Sequence, residues 1–528
     1  MTKIVVIGLD GCSWSLLNPW IQSGDLPNFN FFMKKGTFGK FKSTYPPFTV
    51  PAWPCILTSK NPETLNIYSF TRRDKHSYGV STVKVSYDGA IWEILKKANR
   101  RCYIINIPFT VLPKENEING IFVIGPIMKI GKYTNDERIK NLIEDIGYQL
   151  DVPLLERGRE ILYLKNIINR SKKQFLLVEK LLDDKWELLF YVNFLTDQIS
   201  HNFWKFLDKN HPDFIKDDRI VILIRKFYKI VDEFLGKVAK KSDILFIISD
   251  HGFGPLYYDL SLNYWLALKG FLKFKKYNLV AQVKYRLIKL INFLRTPLIK
   301  PIFNKLTNFL QKYKSENSKY RLPILKYINW GETHAYSIHY GGININLKGR
   351  EPEGIVEITD YDKLRSKIIN LVLKLKDPEG RSVVEAAIKV EKLYNNPSPE
   401  IFPDIVLKFK NISNYVNRMD LFSGLKDSLF FKTDKSGSHD VQGIFLAYGN
   451  GIKNAYEIIN VELFDLFPTI LHILSIPSPN DIVGKILQDI FKEDSVYKNL
   501  PIKEFTPKPK AEHVIDDHVK KLRRKHYI

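Results

Sequence analysis

Six short runs of β-branched and aromatic residues, IVVIGLD, CYIINI, ELLFYVNFL, DILFIIS, DIVLKFK and GIFLAYG, recur along the chain, with helix-periodic stretches such as DGAIWEILKKA and VELFDLFPTILHIL between them. Short apolar strands alternating with helices predict an α/β fold whose central, largely buried sheet is flanked by helices on its faces. Such a sheet confines chemistry to one edge, because open α/β sheets bind ligands beyond the carboxyl ends of their strands. Seven residues stand at the edges of these runs or in adjoining turns. They are Asp10 after KIVVIGL, Thr49 in PPFTVPAW, Asp197 and His201 in TDQISH, Asp250 and His251 in IISDHG, and His439 in GSH. Together they offer six oxygen and imidazole donors and one hydroxyl, a set that suits two adjacent divalent cations beside a nucleophile.

Each member also has a plainer reading. Asp10, ahead of Gly11, could cap the next helix through the Ser13 or Trp14 amides. Asp197 and His201 stand four apart and share one face if the segment after Leu195 is helical. Asp250 and His251 are adjacent, so both reach one ion only from a turn or strand end, which IISDHGFG provides. His439, between Gly437 and GIFLAYG, is by itself an ordinary loop histidine and gains weight from completing a second set of three. Thr49 precedes Pro51, Ala52 and Trp53, where a helix can start; its hydroxyl could cap that helix, or the free amides there could hold a phosphate oxygen.

Length and charge set the wider frame. The 528 residues, 45% of them hydrophobic, provide for a large core. We divide them into a first core part at 1–260, a basic helical insertion at 261–329, a second core part at 330–490 with a small peripheral unit near 350–400, and a basic C-terminal arm at 491–528. Cys12, Cys55 and Cys102 are scattered, without metal spacing, and predict no disulfide framework. MTKIVVIGLDG reads as a buried first strand and not as a secretion signal, and no apolar run is long enough to span a membrane, so the expected compartment is cytoplasmic, with association at the inner membrane surface. Much of the formal charge of +23 is local: residues 269–326 carry fifteen Lys and Arg against one acid, Glu316. Leu287, Leu290, Ile291 and Leu294 form an apolar helical stripe within that stretch. A basic amphipathic segment of this kind suits an anionic membrane surface, or a lid over the cleft. No nucleic-acid module accompanies it, which argues against a nucleic-acid partner, and nothing implies an obligate protein partner.

The motifs VIGLDGCSW, LPNF, PPFTVPAW, TDQISHNFW, SDHGFG, INLKGREPEGIV and GSHDVQGIFLAYG resemble those of the type I phosphodiesterase and nucleotide pyrophosphatase branch of the alkaline phosphatase superfamily. The resemblance runs from the first strand to Gly484, apart from some of the basic insertion. It implies an alkaline phosphatase-like core. Asp10, Asp250 and His251 would hold one metal, Asp197, His201 and His439 the other, and Thr49 would be the bridging nucleophile. Zinc is the first expectation for both ions, with manganese or iron as alternatives. The implied activity is metal-dependent hydrolysis of phosphodiester or pyrophosphate bonds through a phosphothreonine, on a small phosphate ester or nucleotide. A phosphomonoesterase or phosphotransferase for lipid-linked or membrane-near esters is the first alternative, and a non-catalytic binder of anionic surfaces the second.

The chain departs from the family at one point. The histidine-glycine pair that often follows the family's proline turn is replaced after Pro62 and Glu63 by Leu65 and Asn66. Arg72, Arg73 and Lys348 are the nearby cations that could meet the extra negative oxygen of a monoester, and His76 or Arg350 could meet a phosphate. His334 is a candidate for the cleft wall. His339 reads as a sheet residue and His211 as helix-end packing near Pro212.

Overall fold

Strands β1 (Ile4–Leu9), β2 (Gly36–Lys42), β3 (Cys102–Ile107), β4 (Gly120–Ile124), β5 (Leu188–Asn193) and β6 (Ile244–Ile248) come first along the chain. They are followed by β7 (Gly252–Pro255), then β8 (Ala335–His339), β9 (Gly342–Ile345), β10 (Val384–Lys389) and β11 (Ile405–Phe409), and finally β12 (Gly437–Asp440), β13 (Gln442–Gly449) and β14 (Tyr456–Glu462). The computed structural model describes residues 2–74, 77–114, 116–126, 132–275, 325, 328–417, 429–432 and 434–502. Residues 276–324 of the basic stretch, including its apolar stripe, lie outside the described residues, as do His76 and residues 503–528 of the C-terminal arm.

Eight strands form one mixed sheet in the order β14-β2-β13-β6-β1-β5-β3-β4. All pairings are parallel except those of β13, which runs antiparallel to both β6 and β2. The start of β13 therefore lies at the same edge as the carboxyl ends of the other seven strands. That shared edge is where the seven candidate residues converge.

The strands are apolar on both faces because both are covered. Val5, Ile7 and Leu9 of β1, with Leu189, Tyr191, Leu245 and Ile247, share one core with helices α1 (Trp14–Gln22), α2 (Pro27–Lys35), α4 (Glu160–Leu181), α5 (Leu195–Leu207) and α6 (Asp218–Ala239). The alternate residues Ile4, Val6, Phe190, Val192, Phe246 and Ile248 join a second core, with α3 (Thr49–Thr58) and α9 (Leu466–Ile473). This is the period-2 alternation of a doubly covered sheet.

Five of the six apolar runs lie in this sheet, and the sixth lies elsewhere. DIVLKFK is β11 of a separate antiparallel sheet, β8-β9-β11-β10. Its burial marks the difference, since Lys408 faces solvent between buried neighbours, and a position open to solvent does not belong mid-strand in a doubly covered layer. Helix α8 (Ile358–Val372) buries Arg365, Ile368 and Val372 and contributes Ile368 and Val372 to the core of this sheet. The small unit expected near 350–400 thus draws its remaining strands from 335–345 and 405–409. It is tied to the main core through the loop before α3: the Tyr45 hydroxyl donates to the Leu407 carbonyl at 2.6 Å. Among the described residues no helix is long and apolar enough to cross a membrane.

Candidate active site

Asp10 is the first residue past β1, and its amide donates to the Asn193 carbonyl at the end of β5 (3.1 Å). The Thr196 hydroxyl returns the link by donating to the Asp10 carbonyl at 2.6 Å. Asp197 and His201 sit one turn apart on α5, and Asp250 and His251 occupy the bend between β6 and β7. His439 is not on a free loop. It lies in β12, paired opposite Phe253 of β7 in a two-stranded ladder. The fold brings all six to one buried spot with Thr49 at the start of α3.

The three carboxylates share one arrangement. Asp10 Oδ2 accepts from Trp53 Nε1 at 2.8 Å, Asp250 Oδ1 accepts from the Gly11 amide at 3.2 Å, and Asp197 Oδ2 accepts from Gln198 Nε2 at 2.9 Å. The other oxygen of each, Asp10 Oδ1, Asp250 Oδ2 and Asp197 Oδ1, is buried without a hydrogen-bond partner. One oxygen is tied back and one is aimed into the site. Two glycines make the approaches possible. A Cβ on Gly8 would meet the Trp53 ring at 2.5 Å, and Gly11, at φ +63°, lies where a side chain would meet the Phe253 ring at 2.8 Å.

The imidazoles follow the same rule. Nδ1 of His201, His251 and His439 contacts the carbonyls of Gly437 (3.0 Å), Gly252 (3.1 Å) and Pro47 (2.8 Å). A carbonyl only accepts, so each Nδ1 carries the proton and each Nε2 presents a lone pair. His201 Nε2 and His439 Nε2 stand 3.0 Å apart, and two lone pairs at that distance repel unless a cation lies between them. Asp197 Oδ1 is 3.5 Å from the first and 3.4 Å from the second. His251 Nε2 lies 3.5 Å from both Asp10 Oδ1 and Asp250 Oδ2.

Protonation states are correspondingly displaced. Burial, and then the Asp250 and Asp197 carboxylates, push the Asp10 carboxyl well above the ordinary range. Burial and Asp197 do the same to Asp250. Burial also acts to raise Asp197, but the His201, His439 and His251 imidazoles outweigh it and hold that carboxyl low. Burial lowers His201 well below its usual value, and burial with His439 brings His251 down to about 3. Among the described residues no Lys or Arg pairs with any of the three carboxylates. Buried carboxylates without cationic partners are costly, and divalent ions at these donors remove that cost. Two donor groups meet the requirement, Asp197 with His201 and His439, and Asp10 with Asp197 and His251. The residues fit a di-metal centre, with Asp197 common to both groups and Asp250 approaching from the His251 side.

Thr49 opens α3 without capping it. The N-cap position belongs to Phe48, whose side chain makes no capping bond, and Thr49 Oγ1 lies 3.3 Å from His251 Nε2. The remaining candidates are engaged elsewhere. Arg73 is buried against Glu351, Tyr336 and the Pro399 carbonyl. Arg72 donates to Ser81, Lys348 pairs with Glu357, and Arg350 forks onto Asp404. His334 is exposed, and buried His339 packs on the Tyr68 ring. His211 does more than pack a helix end, since its Nε2 lies 3.0 Å from the carbonyls of Leu256 and Ser436, bracing the segment that leads into β12. Asn66 has φ +57°, so the position where the family pattern has glycine keeps a glycine-like backbone.

Sequence reasoning missed the supports: Trp53, Gln198 and the three carbonyls. Trp53 carried a signal, four residues after Thr49 and so one turn along the same helix. The carbonyls carried none, because any residue supplies one.

A family model for type I phosphodiesterase / nucleotide pyrophosphatase matches residues 4–421. No curated protein sequence matches the chain. Among solved structures, phosphonoacetate hydrolase from Sinorhizobium meliloti 1021 in complex with phosphonoacetate aligns with a TM-score of 0.54 at 14% identity, covering 88% of this chain and 94% of that one. Murine ectonucleotide pyrophosphatase / phosphodiesterase 5 in an inactive form with AMP, at 13% identity, and the human protein, at 14%, align with a TM-score of 0.48, covering 93% of this chain and 100% of theirs. The expectation of a cytoplasmic compartment at the inner membrane surface is withdrawn: the murine and human proteins are ecto-enzymes by name, and the first strand, which the sequence reading set against a secretion signal, is simply a buried strand of the central sheet. Nothing in a buried first strand ties this fold to one compartment. With the matched model spanning most of the sequence and the donor sets assembled at the sheet edge, the chain belongs to the type I phosphodiesterase / nucleotide pyrophosphatase family, whose members are metal-dependent phosphoester hydrolases.

Proposed function

We propose that the chain hydrolyses phosphodiester bonds through a covalent phosphothreonine at Thr49, with Asp10, Asp250 and His251 holding one divalent ion, Asp197, His201 and His439 the other, and the Asp197 carboxylate within reach of both. The observation that carries this reading is the set of three buried carboxylate oxygens and three imidazole lone pairs converging beside one hydroxyl. When bound, two divalent ions neutralise phosphate charge and lower the pKa of a nearby hydroxyl. Zinc is the proposed metal, since mixed carboxylate and imidazole donors suit it.

The chain's own residues supply position. Packing fixes the Thr49 hydroxyl at the amino end of α3, where the first amides have no helical partners and favour a phosphate oxygen; Pro51 has no amide to leave unpaired. The Thr49 oxygen attacks phosphorus in line, the ester bond to the leaving oxygen breaks, and the threonine proton passes through water to that oxygen, which departs as the alcohol. Water then cleaves the Thr49 ester and restores the hydroxyl.

Diester preference has separate support. A monoester brings a second anionic oxygen that wants a cation, and Arg72, Arg73 and Lys348 all have partners away from Thr49. We expect purified protein to hydrolyse a methyl aryl phosphate diester with higher kcat/KM than the matched aryl monoester. Chelator should abolish the activity and zinc or manganese restore it. Hydrolysis that persists in chelator, or saturating metal analysis giving less than one ion per chain, would remove the di-metal reading; a large monoester advantage would reverse only the substrate assignment.

The fifteen basic residues of 269–326 support a further element, contact with an anionic lipid surface. The protein should sediment with phosphatidylglycerol vesicles at low salt and stay in the supernatant with phosphatidylcholine vesicles. Failure to sediment with the anionic vesicles would leave the stretch without that role.

A further inference from the structure

A groove of about 240 Å³ opens between α7 (Leu262–Leu268), the end of α8 and Leu429. Trp265, Leu268, Leu371, Leu375 and Leu429 line it, with Lys269, Lys374 and Lys376. Its apolar walls are firmly placed. Trp265 is 2% exposed and Leu375 7%, and the Ser261 amide at the head of α7 donates to the Leu429 carbonyl at 3.0 Å. Leu268, by contrast, is 59% exposed, and Leu373, one residue from the lining Lys374, is 39% exposed. These two extend the apolar surface of the groove outward onto its rim.

The lysines say what kind of partner fits. Some surface lysines pair with acids, as Lys348 does with Glu357 and Lys408 with Glu385. Among the described residues no carboxylate forms an ion pair with Lys269, Lys374 or Lys376. An apolar trough with three such lysines selects a molecule that is apolar at one end and anionic at the other. The volume lies below the ~300 Å³ at which compact small-molecule sites begin, so the trough holds part of a ligand and not a whole one. The basic stretch 269–326 begins at the same place: Lys269 is its first cation, and Phe274 and Ile328 pair with each other where the chain leaves and rejoins the described structure. A cationic segment of this chain is a poor occupant, because it would set like charges together.

We propose that this groove seats an acyl chain of an anionic lipid, with the headgroup phosphate against Lys269, Lys374 and Lys376. The site is separate from the metal centre. It gives the proposed surface contact a specific lipid-binding element without depending on the catalytic reading.

The test uses the full chain and monomeric lipid, so that bulk attraction to a charged bilayer plays no part. Dihexanoyl phosphatidylglycerol and dihexanoyl phosphatidylcholine are titrated calorimetrically below their micelle concentrations, with glycerol 3-phosphate as a head without a tail. We expect the anionic lipid to bind at least about tenfold tighter than the zwitterionic one, because the choline ammonium of the latter offsets its phosphate charge and is repelled by the lysines, and the tailless head to give no measurable heat. Lys374→Glu with Lys376→Glu should remove that preference while hydrolysis of a soluble diester and the melting temperature stay unchanged. Should the double variant fold poorly, Lys374→Gln with Lys376→Gln carries the same expectation of a reduced preference. Equal affinity for the two lipids, no binding of either, or a preference that survives both double substitutions overturns the proposal.

Discussion

Thr49→Ala is expected to remove turnover of a phosphodiester by roughly four to six orders of magnitude, the scale on which loss of a covalent nucleophile acts, while both metal sites still fill. The separation of the two effects follows from the geometry. The Thr49 hydroxyl lies 3.3 Å from His251 Nε2, whereas the carboxylate and imidazole donors come from other residues, so its removal takes the attacking atom and leaves those donors in place. The methyl that remains at Cβ keeps the start of α3 packed. Steady-state hydrolysis together with metal analysis on the same preparation checks it. If the variant kept near wild-type rates across several diesters, phosphothreonine would not be an intermediate, and direct attack by water would replace it. If turnover and metal were lost together, Thr49 would be acting as a ligand above all.

How far the site could be read in advance depended on whether a residue's role was local. Asp197 and His201 announced themselves through a four-residue spacing that only a helix turns into proximity, and α5 provides that helix. Asp250 and His251 were legible because adjacent donors need a bend, and the bend between β6 and β7 supplies it. His439 was weaker in the sequence, because its placement requires β13 to run against its neighbours so that its start meets their ends; strand direction leaves no mark on composition. The role of β11 was misjudged for the same reason, since DIVLKFK has the apolar content of a central strand and differs only in one exposed lysine. The geometry also adds a contact to the implied groupings. The resemblance implied Asp250 beside Asp10 and His251, and to that the structure adds Asp197, whose free oxygen gathers both with His201 and His439 and with Asp10 and His251. No spacing argument could have seen this, because it depends on which of two carboxylate oxygens is tied back by Trp53, Gln198 or the Gly11 amide. Compartment was the least legible property of all, as the same apolar β1 serves on either side of a membrane.

The shared position of Asp197 leads to the second large expectation. Asp197→Asn replaces an oxygen that stands within reach of both donor groups, so it should lower metal content from about two ions per chain to below one and reduce activity at least about a thousandfold. Asp250→Asn should cost one ion and leave the Asp197, His201 and His439 group filled, since its free oxygen lies 3.5 Å from His251 Nε2 and it is not a member of that group. Trp53→Phe completes the series. It leaves every donor in place but frees Asp10 Oδ2 from the Trp53 indole, and loss of such a supporting bond weakens metal binding by roughly 10- to 100-fold. Metal titration under buffered free zinc therefore ranks the three, with Asp197→Asn losing both transitions, Asp250→Asn one, and Trp53→Phe shifting one without deleting it. Equal losses for Asp197→Asn and Asp250→Asn would mean that each carboxylate serves a single ion, and the common role read from the geometry of Asp197 would be wrong. A Trp53→Phe titration identical to the unmodified protein would likewise show that the fixed Asp10 oxygen does not matter to the site, and the pattern of one oxygen tied back and one aimed inward would be packing alone.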